Sequence, residues 1–395
     1  MAVDTTGFVD TAQREADSRW ADFWRSGPGT LAGRYLRTFW QPVFRAVDLP
    51  AGRAKPITIM SEQFTLYRGQ GGVPHLLAFR CAHRGTQLST GWVEGDCVRC
   101  FCHGWKYDAT GQCVEQPAED AGFAPKIRIA SYPTQEYLGL IFAYLGAGEP
   151  PALPRYREFE ADGLLRQGMP ITWPCNYANR TENSHDPVHI AFVHRGSNSH
   201  VGVPDVAAEE TEYGMRTSEN WGLAPGTAAR EEYNFQQFHW PNINCYVSSP
   251  TEPDWIEHRH LSWRVPVDDQ HVVSFTMDFL PLTGQAAEDY LARGAQRAAR
   301  ERQRDAAVRE LGERILRGEL HIDEVQDRAF IFNVQDYVAQ VGQGPIAPRE
   351  HDRLGRSDAA VILFRRIWER ELRALAEGRP RKQWRRPETL PGGTN

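Results

Sequence analysis

No stretch of these 395 residues stays apolar for the ~20 positions a helix needs to cross a bilayer. The longest apolar run, Leu138 to Gly148, is about half that length, so no membrane span is expected. The first twenty residues, MAVDTTGFVDTAQREADSRW, lack a basic start followed by an apolar core. No secretory signal is therefore predicted, and a cytoplasmic location is expected. Positive charge is scarce too. The 45 Lys and Arg against 51 Asp and Glu leave a net charge of −6, which argues against nucleic acid and for small-molecule partners. Seven cysteines show no disulfide spacing, and no internal repeat is visible. Also missing are a G-x-G-x-x-G turn after a strand and a C-x4-C-x2-C run, so the chain cannot draw electrons from a nicotinamide cofactor by itself.

What is present is an ordinary globular composition, 41% apolar and 24% charged, with room for two domains. Residues 1–40 read as N-terminal helices packed on the rest, with Trp20, Phe23 and Trp24 at helical spacing and a break at Gly27-Pro28-Gly29. From 41 to 150 the chain turns to short runs such as ITIM, FTLYR, HLLAFR and LGLIFAYLG, separated by glycine-rich turns. These predict a small antiparallel β domain. Gly148 to Arg157, GEPPALPRYR, reads as a linker. Residues 151–395 mix strands with helices, so the fold class is α+β, with a larger domain built on an antiparallel sheet. Gln285 to Leu320 reads as a solvated helix pair and the tail from Arg379 as loose.

Two motifs carry chemistry. The first is CAHRGTQLSTGWVEGDCVRCFCHGW, where Cys81 and His83 form a C-x-H pair and Cys100 and His103 a C-x-x-H pair. Two thiolates and two imidazoles from two tight loops are the ligand set of a Rieske [2Fe-2S] cluster, two cysteines on one iron and two histidines on the other. A zinc knuckle is the competing reading. Against it, Gly85 and Gly104 let both loops close tightly, and Trp105 is placed to shield a cluster.

The second is NYANRTENSHDPVHIAFVH. Glu182, Asp186 and His189 would share one face of a helix, and Pro187 breaks regularity before His194. Two histidines and one carboxylate make the facial triad of non-haem Fe(II) sites, with positions left open for O2 and substrate. His185 and His200 read as solvent-facing or hydrogen-bonded neighbours. His239, His258 and His260 read as lining the core or a pocket, while Phe238, Trp240, Asn242 and Trp263 are pocket candidates.

Together these stretches resemble the Rieske non-haem iron aromatic ring-hydroxylating oxygenases, alpha subunits of the phthalate dioxygenase-like branch. The resemblance runs from about Trp40 to Arg366. Asp186, His189 and His194 fall in register with the family's D-x-x-H-x-x-x-x-H signature. The late segment containing VQDY makes Asp336 the third iron ligand; Asp327, in VQDR, is its rival, and Glu182 more plausibly orients a ligand histidine. The respiratory Rieske proteins, outside that family, carry a first-loop cysteine paired with one placed as Cys102 is; here Thr86 stands at the matching position, which suits a reducing compartment.

The resemblance implies a terminal oxygenase that takes electrons at the cluster and activates O2 at a mononuclear Fe(II). It would hydroxylate an aromatic substrate, preferably a carboxylate. It also implies a separate reductase, with or without a ferredoxin, and a head-to-tail homotrimer. There Asp186 links His103 of the neighbouring subunit to His189. Oxidative O- or N-dealkylation is the alternative within the family. A Rieske electron carrier without oxygenase activity is the alternative outside it.

Overall fold

The computed structural model describes residues 23–120, 122–195, 202–221, 235–248, 257–326 and 330–386. An antiparallel sheet of eight strands dominates the second half of the chain. Its order is Leu164–Gln167, Val272–Leu280, His258–Pro266, Ile243–Ser248, Phe235–His239, Gly214–Asn220, Asp205–Glu210, with Ile171–Trp173 also paired to Val272–Leu280.

The strict period of two in this sheet separates two environments. Ile243, Cys245, Leu261, Trp263, Val265, Val273, Phe275, Met277 and Phe279 enter the main core. The intervening Asn244, Tyr246, His260, Ser262, Arg264, Ser274 and Asp278 therefore point to the other face. The helix Tyr177–Ser184 lies over that polar face, and its Arg180 Nε donates to Ser274 Oγ at 3.0 Å.

The first half of the chain forms two four-stranded antiparallel sheets that share a small core built on Tyr67, Leu77, Leu88, Val98, Trp105 and Tyr107, while Ile57, Ile59, Phe64, Leu66 and Leu76 of the first of them enter the larger core. A three-stranded sheet of Trp40–Arg45, Leu140–Tyr144 and Thr134–Tyr137 also turns its apolar side to the larger core, where Phe142 meets Trp263 edge-on at 5.8 Å. The α+β architecture agrees with the sequence pattern.

The helices of the region read as a solvated pair run Gly284–Ala292 and Gly294–Leu316. Two other expectations need correction. Leu153 and Tyr156 of the proline-rich stretch are buried, so it is anchored rather than free. The tail is ordered through Arg386: Trp384 stacks on Trp240 at 5.1 Å and Lys382 Nζ donates to Glu210 at 2.7 Å. Trp20 lies outside the described residues, whereas Trp24 stacks on Trp368 of the last helix, Ala359–Ala376.

Candidate metal centres

The two cysteine–histidine loops have the same construction. Cys81 N–H donates to Thr86 O and Gly85 N–H returns to Cys81 O; in parallel, Cys100 N–H donates to Trp105 O and Gly104 N–H returns to Cys100 O. Both glycines take φ +75°, the left-handed conformation that a side chain resists. Closing this way brings the His83 and His103 rings within 4.5 Å, and Trp105 stacks on His83 at 4.6 Å. Tyr107 O–H accepts from Ala82 N–H at 3.1 Å, which leaves its proton for Cys81 Sγ at 3.2 Å. The histidine side lies near the surface: His103 is exposed, as are Phe101 and Trp92 beside it.

The second centre is assembled from distant segments. The helix Tyr177–Ser184 stops at His185, and a second, Val188–Phe192, starts after Pro187. Asp186 sits in the break. Its Oδ1 accepts the amides of Val188 and His189, and its main-chain carbonyl accepts from His189 Nδ1. Gln335 Oε1 accepts from His194 Nδ1 at 3.1 Å. Both rings are thereby fixed with Nε2 toward Asp336 Oδ1, at 3.7 Å from His189 and 3.5 Å from His194. Asp336 comes from the helix Ile331–Val341 and also accepts from Asn183 Nδ2 at 3.3 Å. Burial works to raise its carboxyl, but the two histidines and Arg180 hold it below the ordinary value. Asn183 and Gln335 went unremarked in the sequence. Their only signal was adjacency, Gln335 next to Asp336 and Asn183 three residues before Asp186.

Other expectations fare differently. Glu182 does not share a helix face with Asp186, because the helix has ended, and it orients no histidine. It is buried between Arg349 and Arg365, with Oε1 at 3.0 Å and 2.7 Å. His185 is not solvent-facing, and its ring has no hydrogen-bond partner among the described residues. It is fully buried between Phe238 and Phe364, and burial pushes it down to about 4. Trp240, Asn242 and Trp263 lie on the core side, away from the triad, bonded or packed to Tyr35, Gln41 and Phe142 respectively. Phe238 is a member of the main core, packed against His185, Trp240 and Phe364. Asp327 and His200 lie outside the described residues.

Among the described residues, two groups bring three metal-binding donors within 4.8 Å: His189, His194, Asp336 and His258, His260, Asp278. The second group already has a cation, since Arg166 Nε and Nη2 both donate to Asp278 Oδ2. The Cys81, His83, Cys100, His103 set is not so compact, which suits donors shared between two irons rather than gathered on one zinc. Its residues fit such a cluster. Cys81 and Cys100 are free and buried, and His83 Nδ1 is buried without a partner among the described residues. His189, His194 and Asp336 fit a mononuclear iron, with Nδ1 of each ring engaged and Nε2 turned inward.

The family model described as Rieske [2Fe-2S] domain matches residues 39–133. The phenoxybenzoate dioxygenase subunit alpha of Ectopseudomonas oleovorans is 30% identical over 377 residues, 89% of this chain and 84% of that protein. The 5,5'-dehydrodivanillate O-demethylase oxygenase subunit of Sphingobium sp. (strain NBRC 103272 / SYK-6) is 29% identical over 367 residues, 90% and 80%. The terminal oxygenase of carbazole 1,9a-dioxygenase from Novosphingobium sp. KA1 superposes with a TM-score of 0.64 at 19% identity, covering 92% of this chain and 97% of that one. At that identity the last match speaks to the fold alone. No helix among the described residues is long and apolar enough to cross a membrane.

Proposed function

The chain belongs to the Rieske-type aromatic ring-hydroxylating oxygenases, as a terminal oxygenase subunit, and on that premise we propose that it hydroxylates an aromatic carboxylate. The observation that carries the reading is the pairing, in one chain, of the cysteine–histidine loops with the inward-turned His189, His194 and Asp336. An electron carrier needs only the first. When bound, the two iron groups supply an electron relay and reductive activation of O2.

The protein's own residues do the positioning. Cys81, His83, Cys100 and His103 hold the cluster, with Tyr107 donating to Cys81. His189, His194 and Asp336 hold the mononuclear iron, oriented by the Asp186 carbonyl, Gln335 and Asn183. The exposed His103 edge, rimmed by Phe101 and Trp92, supports a head-to-tail homotrimer. In that assembly the Asp186 carboxylate, whose Oδ1 accepts the His189 amide, meets His103 of the neighbouring subunit, while the Asp186 carbonyl holds the His189 ring. Electrons arrive from a separate reductase, with or without a ferredoxin, because the chain lacks a nicotinamide-binding turn. Oxidative O-demethylation is the second reading, favoured by the 29% identity to the dehydrodivanillate O-demethylase subunit.

Oxygen uptake by the iron-loaded protein with a surrogate reductase, run against hydroxy-, methoxy- and carboxy-substituted aromatic acids, tests both readings. Hydroxylated product supports the first and released formaldehyde the second. Intact cluster and triad iron with no uptake on any acid would remove both.

A further inference from the structure

Asn244 and Ser262 stand directly opposite one another on Ile243–Ser248 and His258–Pro266, and Arg264 follows Ser262 on the same face. Asn244 Oδ1, Ser262 Oγ and Arg264 Nε are all buried and have no hydrogen-bond partner among the described residues. Burying such atoms unmet is unfavourable, so three on one patch point to a ligand that meets them.

The patch lies under the triad. Ser274 is the cross-strand neighbour of Arg264 and accepts from Arg180, whose Nη1 donates to Gln340 at 3.1 Å, one helical turn beyond Asp336. Arg180 is thus engaged through Nε and Nη1, and it also lies over the Trp173 ring at 3.7 Å. Arg264 is not. Among the described residues no ion pair joins either arginine to a carboxylate; Asp336 is the carboxylate whose charge both feel, and it is committed to metal. Burial and the neighbouring Arg180 push Arg264 down to about 9. Two guanidinium groups side by side in a poorly solvated interior favour an incoming anion. A flat carboxylate matches the fork of an arginine.

We propose that Arg264 and Ser262 form the subsite that takes the substrate carboxylate, with Asn244 closing the patch and the aromatic ring directed toward His189, His194 and Asp336. The subsite rests on the reading that the protein oxygenates aromatic acids, but binding reports on it separately. A neutral analogue leaves Arg264 uncompensated, so the same residues select against uncharged rings.

The test is calorimetric titration of the iron-loaded protein with benzoate and with benzamide, which keeps the ring and nearly the shape but not the charge. Wild type should bind benzoate at least about tenfold tighter than benzamide. Arg264→Met should weaken benzoate binding by about ten- to a hundredfold, and Ser262→Ala by about three- to tenfold, with benzamide little affected. Arg264→Lys should recover part of the loss. The visible spectrum of the cluster checks that each variant is folded; if Arg264→Met does not fold, Ser262→Ala and Arg264→Lys carry the test. Equal benzoate affinity in wild type and the folded variants overturns the proposal, and so does a wild type that treats benzoate and benzamide alike. Benzoate selectivity lost in the variants, alongside no oxygen uptake on any acid, would uphold the subsite and remove the oxygenase reading instead.

Discussion

The two metal centres are held by different means. Each cysteine–histidine loop closes on itself through hydrogen bonds spanning at most five residues and one left-handed glycine, so the donor positions are set by local chain geometry. The triad joins His189 and His194 to Asp336, more than a third of the chain later, and no local turn can do that. Its geometry depends on packing between helices, locked by Asn179 and Glu182 bonding Arg349 and by Arg180 bonding Gln340. A local site should tolerate damage elsewhere in the fold. A site built by packing should not.

The sharpest way to break that comparison is to remove the distant donor. Asp336→Ala should lower turnover by more than about 100-fold, since even residues that only orient metal ligands are worth 10- to 100-fold. The visible and EPR signatures of the cluster should stay as they were. Asp327→Ala should leave turnover near wild type; if it, rather than Asp336→Ala, abolishes activity, the triad has been assigned to the wrong helix.

If the two centres cooperate across subunits, two inactive proteins should rescue each other. Cys100→Ala destroys the cluster and His189→Ala the mononuclear site. Random co-assembly into cyclic trimers should restore about a quarter of wild-type activity. Adding Asp186→Ala to both chains should abolish the recovery. Verified hybrids with no activity would place the electron path inside one chain.

A smaller effect should come from the packing lock. Glu182 is buried, which works to raise its carboxyl, but Arg349 and Arg365 hold it below the ordinary glutamate value. A depressed folded value means the stabilisation is fully present above the unfolded value, about 4.3, and is lost as pH falls through the lower folded one. Glu182→Ala should cost about 3–5 kcal/mol in denaturant unfolding at neutral pH, because it leaves the buried Arg349 without its carboxylate, while Arg365 keeps Asp352. Glu182→Gln should flatten the acid limb of the stability curve. An acid limb identical to wild type would show that Glu182 is not the group being titrated.

The same division governed what could be read from the sequence. The cysteine–histidine spacings were legible because the geometry they encode is local. The α+β class and the polar–apolar alternation of SWRVPV were legible as well. That alternation places Ser262 and Arg264 on the face opposite Trp263, whereas composition alone makes Trp263 and Asn242 pocket candidates. Register assigns Trp263 to the core, whereas Asn242 lies in the turn before Ile243–Ser248 and is held there by Gln41. The spacing of Glu182 from Asp186 suggests a shared face only if one helix runs through both, whereas Pro187 ends it at Ser184. Asn183 and Gln335 could not be found, since an amide acquires meaning only when a distant helix arrives beside it. Asp336 is legible only through the family resemblance, and the helix Ile331–Val341 carries it to the two histidines.

The mildest perturbation probes the local site alone, by exploiting a difference between its two otherwise matched loops. Gly85 and Gly104 share φ +75°, so alanine at either should cost about 1–2 kcal/mol in backbone strain. A methyl group at Gly85 would meet only Arg80 Cδ at 3.9 Å, an ordinary contact with a flexible side chain. At Gly104 it would meet Pro117 Cγ at 3.1 Å and Cδ at 3.5 Å, on a ring that cannot rotate away. Gly104→Ala should therefore be the worse of the two, with lower cluster occupancy and an earlier loss of visible circular dichroism on heating. Metal occupancy at His189, His194 and Asp336 should be unchanged in both, because nothing in either loop supports the helices that gather the triad. Equal penalties would remove Pro117 as the cause of the difference. Loss of the mononuclear iron along with the cluster would show that the two centres are structurally coupled within one chain, contrary to the contrast drawn between them.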